Sequence, residues 1–232
     1  MDWFRMMYEG KGTVAPEKPC PKGLRRFWQV LLENWWELIG LNLLFFFSCI
    51  FLITIPAALT ALSTVCIALL NGEHVSIPAA FWKGFRGSFL RSTAAGLLWA
   101  AALGLTGWGF CFYGKAMAEN GLLAAPAMVL LIVFLLVLMS GFSLFQMAAF
   151  STLNAAQMVK NALLLTLVHP GRHLLVLLVL TVLTAAYFLC FPYSTVALTA
   201  IALAVFWLFA CNRLWPLTQK YVFPEEETPW AG

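Results

Sequence analysis

The stretch LIGLNLLFFFSCIFLITIPAALTALSTVCIALL, residues 38–70, decides the fold: it runs for 33 residues without an Asp, Glu, Lys, Arg or His. A hydrocarbon core about 30 Å thick takes about 20 residues of helix, so this tract is too long for one upright crossing and somewhat short for two. Pro56 stands near its middle, where it removes one backbone donor and clashes with the preceding turn. The pattern predicts a first crossing over 36–55 and a shorter return over 57–71, with one long, tilted, kinked helix as the alternative.

Outward from this tract, three more stretches lack Asp, Glu, Lys and Arg, between Arg91 and Lys115, between Glu119 and Lys160, and between Arg172 and Arg213. The whole chain of 232 residues is 62% apolar and 10% charged, with a mean hydropathy of +0.86, whereas soluble domains carry roughly 25% charged residues. In lipid every backbone N–H and C=O must be satisfied within the chain, which leaves helices and closed barrels. These continuous apolar runs lack a barrel's alternation of apolar and polar residues. The expected fold is therefore all-α, a polytopic transmembrane helical bundle with six crossings, or five if 38–70 is one helix. The remaining crossings are expected at 92–114, 121–146, 173–190 and 194–212, the last two separated by Pro192.

Three regions follow from this reading: a polar arm over 1–23, a membrane domain over 24–216, and a tail over 217–232. The arm carries Gly10, Gly12, Pro16, Pro19, Pro21 and Gly23 and no apolar core with a cleavage site, so no signal peptide is expected and the first apolar tract stays as an anchor. A helix starting near Leu24 brings Phe27, Trp28, Trp35 and Trp36 to the level where hydrocarbon meets headgroup.

Two amphipathic helices are expected in the interface. Ser76-Ile77-Pro78 reads as a helix start, and Phe81, Trp82, Phe85 and Phe89 beside Lys83, Arg86 and Arg91 suit aromatics turned into lipid and cations toward anionic headgroups. A plain extension of the next crossing is the alternative. The second spans 149–168, with Ser151, Asn154, Gln157 and Asn161 near helical spacing and Lys160 beside them, until His169-Pro170-Gly171 breaks it.

With six crossings, 13 of the 14 Lys and Arg residues share one side and only Lys115 lies opposite. Short loops rich in Lys and Arg stay cytoplasmic, so both termini are expected inside. The five-crossing reading separates the arm from the 83–91 cations and fits less well.

Chemistry is scarce. No HExxH, GxSxG, Walker loop or GxGxxG context occurs, and the six cysteines show no CxxC or zinc spacing. His169 and His173 stand four apart with Pro170 and Gly171 between them, which reads as a hinge rather than a metal site. No enzyme activity, cofactor or metal is expected, and cations spread through loops exclude a nucleic-acid face. Asn42, Thr60, Ser63 and Gln146 are the notable polar groups inside crossings; interhelical hydrogen bonding is their default role, and lining a path for a neutral solute is the alternative. Gly96, Ala100 and Gly104 form a small-residue stripe on which another helix can approach closely, with a partner inside the chain preferred.

The blocks Ile55-Pro56-Ala57-Ala58-Leu59-Thr60-Ala61-Leu62, Asn71-Gly72-Glu73, and Phe81-Trp82-Lys83-Gly84-Phe85-Arg86-Gly87-Ser88-Phe89, followed by Gln157-Met158-Val159-Lys160-Asn161-Ala162 ahead of His169-Pro170, together resemble the YesL family of bacterial membrane proteins. The resemblance covers roughly residues 20–220. It implies a small plasma-membrane protein, mainly of Gram-positive bacteria, often encoded beside carbohydrate ABC-transporter permeases and two-component sensors, and it supplies no catalytic residues. The functional expectation is a non-enzymatic accessory protein of carbohydrate uptake that packs on an ABC-transporter permease or a sensor kinase. A small transporter for a neutral solute such as a sugar is the rival.

Overall fold

Chain geometry is described here for residues 23–73, 75–116, 123–151, 153–189 and 195–222 of a computed structural model. The arm before Gly23, the turn with Glu119 and Asn120, Cys190 with Pro192, and the acidic end of the tail lie outside them. Among the described residues the chain forms helices and no strands, so the all-α expectation holds. The helices are α1 (Leu24–Glu33), α2 (Trp35–Ser48), α3 (Ile55–Asn71), α4 (Ile77–Ala116), α5 (Ala124–Phe150), α6 (Ala155–Val168), α7 (Pro170–Leu189) and α8 (Thr195–Val222). By length and composition, four segments can cross a membrane: Leu52–Asn71, α4, α5 and α7; α1 and α2 together make a fifth if counted as one bent span.

The expected first helix is broken. Between α1 and α2 the axis turns by 86° at Asn34, whose side-chain amide donates to Val30 O at 3.1 Å and so caps the end of α1. Arg26, Phe27, Val30 and Leu31 form the buried face of α1, while Trp28 and Leu32 stay exposed.

Pro56 does mark a reversal. α2 stops at Ser48, a 3-10 turn occupies Leu52–Thr54, and α3 starts with Pro56 in its first turn, where a missing N–H costs nothing. That the chain turns back rather than kinks follows from Arg26, just ahead of α2, whose guanidinium donates to the carbonyls of Leu69 and Leu70 at the far end of α3, both at 2.9 Å. The same end is closed by Gly72 in the left-handed region (φ 83), with Gly72 N–H donating to Leu69 O and Glu73 N–H to Ala68 O. This is a Schellman motif, which satisfies the carbonyls a helix leaves over.

α4 corrects the expectation of a separate interfacial helix over the 81–91 stretch. It is one helix of 40 residues, about 60 Å long, that begins at Ile77 as the Ser-Ile-Pro signal predicts and absorbs both the basic-aromatic stretch and the 92–114 crossing. The physical reason is Phe81, fully buried in the core instead of turned into lipid; burying it against the bundle holds this stretch in line with the rest of α4.

α3 and α5 run antiparallel to α4 along different parts of it. A Cβ at Gly96 meets Pro56 of α3, and one at Gly84 meets Thr64. α5 continues the pairing outward, with Arg91 reaching Ser151 O, Trp99 Nε1 donating to Val137 O at 2.7 Å, and Gly107 and Gly109 meeting Phe134 and Leu130. The second half-polar helix, α6, begins at Asn154 with a capping box shared with Gln157 and ends before His169; α5 itself runs on to Phe150. α8 continues past Pro216 to Val222, six residues beyond the expected boundary at 216. The core lies where α2, α3, α5 and α8 meet, around Leu41, Leu62, Val65, Leu144, Leu208 and Leu214.

Candidate functional site: a buried polar seam

Apolar helices leave few places where polar side chains can gather, and here they form a seam from α3 through α8 and α5 to α7. On α3, the Thr60 hydroxyl donates to Pro56 O and the Ser63 hydroxyl to Leu59 O, each at 2.9 Å. Ser63 Oγ also accepts Trp207 Nε1–H of α8 at 2.8 Å, and the Trp207 ring lies against Phe142 and Phe145 of α5. One helical turn on α5 presents Ser143 and Gln146. Ser143 Oγ is 2.8 Å from His173 Nε2 of α7, while His173 Nδ1 is 3.1 Å from His169 O. A carbonyl only accepts, so Nδ1 carries the hydrogen, and on a neutral ring Nε2 accepts from the Ser143 hydroxyl. Gln146 is fully buried, and neither atom of its amide makes a hydrogen bond. Cys66 of α3 and Cys211 of α8 are buried free thiols near each other.

All four polar residues singled out from the sequence, Asn42, Thr60, Ser63 and Gln146, are buried, the last three along the seam. Asn42 sits on α2, which packs chiefly on α8, α4 and α3, whereas Gln146 sits on α5. The hydroxyls of Thr60 and Ser63 are turned to carbonyls of their own helix, which uses their donor hydrogen within α3.

The small-residue stripe divides. Gly96 lies at a close approach of α3 on α4, where an added Cβ falls 2.5 Å from Pro56 Cβ and Cγ. Ala100 and Gly104 are exposed, and Gly104 has nothing within 4 Å of an added Cβ. Among the basic-aromatic residues Phe81 is core, Phe85 and Phe89 are half-buried, and Trp82, Lys83, Arg86 and Arg91 are exposed. Arg86 sits 4.8 Å above the Trp82 ring, a cation–π contact; Trp82 stacks on Phe85 at 5.4 Å. In the family-like blocks, Pro56 closes on Gly96 and Ala61 and Leu62 are core. Gln157 serves the α6 cap, Lys160 is exposed and Asn161 half-buried.

Arg26 and Trp207 escape a sequence reading, and His173, read there with His169 as a hinge, is instead bonded to Ser143. Arg26 alone leaves a signal, because it falls on the same helical face as Phe27, Val30 and Leu31, where a solvated cation is out of place. Among the described residues no three His, Cys, Asp or Glu side chains gather as a metal site does.

Long apolar helices, buried Ser and Thr hydroxyls bonded to carbonyls of their own helix and exposed apolar flanks define the class: a polytopic α-helical membrane protein. Within it, the profile of a family described as a protein of unknown function, DUF624, matches residues 38–110, the α2–α3 reversal and α4 as far as Phe110. No curated protein and no solved structure matches the chain.

Proposed function

We propose that this is a non-enzymatic accessory protein of a bacterial plasma membrane, YesL-like in kind, that packs against a larger membrane partner such as a carbohydrate ABC-transporter permease or a sensor kinase. The observation that carries this reading is the disparity in burial among its helices. The most apolar stretches of α4 and α7 are each 11% buried within the chain, against 61% for the segment holding α3. On α4 the exposed pair Ala100 and Gly104 leaves a shallow notch of the kind that admits a second helix. The positive-inside rule orients both ends toward the cytoplasm, where the basic stretch Lys83–Arg91 meets anionic lipid or a partner's cytoplasmic loops.

The rival, a transporter for a neutral solute, needs polar groups free to face a path, and the Thr60 and Ser63 hydroxyls, which donate to carbonyls of their own helix, weigh against it. Purification of the tagged chain in mild detergent from its native host is expected to bring down a permease or a kinase in defined ratio, and Gly104→Leu to reduce that recovery several-fold while the chain stays monodisperse. Recovery of the chain alone, or uptake of sugar by liposomes holding nothing else, contradicts the proposal.

A further inference from the structure

The levels of the helices along α4 fix how deep the α2–α3 hairpin reaches. We infer that it does not cross the membrane: it enters from the side that carries Lys83, Arg86 and Arg91, turns back near the bilayer midplane, and rests its tip on the acyl chains of that one leaflet.

Two registers carry this. Along α4, Lys83, Arg86 and Arg91 are exposed, and no charge follows before Lys115. The hydrocarbon therefore spans about residues 92–114, roughly 34 Å of helix against a core of about 30 Å. α3 begins beside Gly96, since Pro56 is the residue an added Cβ there would meet. Gly96 lies only about 8 Å of helix rise past Arg91. One 3-10 turn and Cys49–Phe51 lie beyond Pro56, adding about 6 Å. The tip thus stops about 14 Å inside the core, and α4 with its partner α5 runs on for roughly another 20 Å.

The other leg agrees. Glu37, on the first turn of α2, is twelve residues before Cys49, about 18 Å, which puts its carboxylate just outside the same boundary. Exposed Trp28, Trp35 and Trp36 cluster at that level, the headgroup zone in which Trp concentrates, and the 86° bend lays α1 along the surface.

The chemistry of the tip fits immersion. Ile50, Phe51, Leu52 and Ile53 are all exposed, Phe51 by 72%, and continue the exposed Leu43, Phe46 and Phe47 of α2. An aqueous loop at the far surface has no use for four such residues in a row. Backbone polarity at this depth is costly unless met locally, and the turn meets part of it: the Thr54 hydroxyl lies against the carbonyls of Ser48 and Phe51, Thr54 N–H donates to Phe51 O, and Cys49 N–H to Phe45 and Phe46 O. With α8 taken as the crossing that the sequence over 194–212 predicts, the complete crossings are α4, α5, α7 and α8, still an even number, so the sidedness of the cations is unchanged.

The test uses Phe51→Cys in the full chain with its native cysteines replaced, reconstituted in phospholipid vesicles, beside Lys115→Cys and Glu73→Cys as markers of the two faces. Ile50→Cys stands in if Phe51→Cys is not monodisperse. A membrane-impermeant maleimide is expected to label the tip cysteine at least about tenfold more slowly than either marker from either face. A bimane at that position is expected to be quenched most by nitroxides deep in the acyl chain. Labelling from the far face at the Lys115→Cys rate, or strongest quenching by headgroup nitroxides, overturns the inference.

Discussion

Gly96→Ala is expected to destabilise the bundle by about 2–3 kcal/mol, while Gly104→Ala, eight residues along the same helix, leaves it unchanged or stabilises it by up to about 1 kcal/mol. Both replace glycine within α4, so helix propensity favours alanine at each. The difference lies in what the methyl meets. At Gly96 it falls 2.5 Å from two carbons of Pro56, atoms of a ring with no rotamer to yield, and at the point where α3 is seated on α4. Relief requires the two helices to part, loosening Ala57, Ala61 and Leu62 behind the contact. At Gly104 the methyl meets nothing within 4 Å. Unfolding in a mixed-micelle denaturant titration, followed by tryptophan fluorescence, checks the pair; equal effects of the two substitutions contradict the register of α3 on α4.

Arg26→Ala carries the second large effect, about 3 kcal/mol, with Arg25→Ala near zero. Arg25 is exposed. Arg26 is buried and gives one charge-assisted hydrogen bond to each of Leu69 O and Leu70 O, each worth about 1.5–3 kcal/mol where the partner is desolvated. The cation also sits at the negative end of the α3 dipole. Removing it leaves Leu70 O without that donor and detaches α1 from the hairpin. Arg26→Lys is expected to recover part of the loss, since an ammonium keeps the charge but lacks the planar fork that reaches two carbonyls. The same titration reads all three variants, and an Arg26→Ala loss no greater than that of Arg25→Ala contradicts the capping role.

Much of the fold was legible because its signals are local. Uncharged length marked the apolar helices; Pro56 marked the reversal; Ser76-Ile77-Pro78 marked the start of α4; and His169-Pro170 marked the break between α6 and α7. What escaped depends on contacts made at a distance. The bend at Asn34 is held by a side chain capping its own helix and by Arg26 anchored 43 and 44 residues away. The continuity of α4 follows from Phe81, whose spacing with Phe85 and Phe89 suits a lipid-facing stripe equally well until a core is there to receive it. The polar seam was half visible: Ser63 and Gln146 stand out as polar groups in apolar runs, but Trp207 and His173 acquire their roles only when α8 and α7 are packed against α3 and α5.

The central claim is that these helices take oil, not water, as their solvent. Fractionation of cells expressing the chain, with an alkaline carbonate wash and high-speed sedimentation, tests it most directly. The protein is expected to remain wholly in the membrane pellet and to leave it only on addition of detergent. A monodisperse protein in the detergent-free supernatant contradicts it.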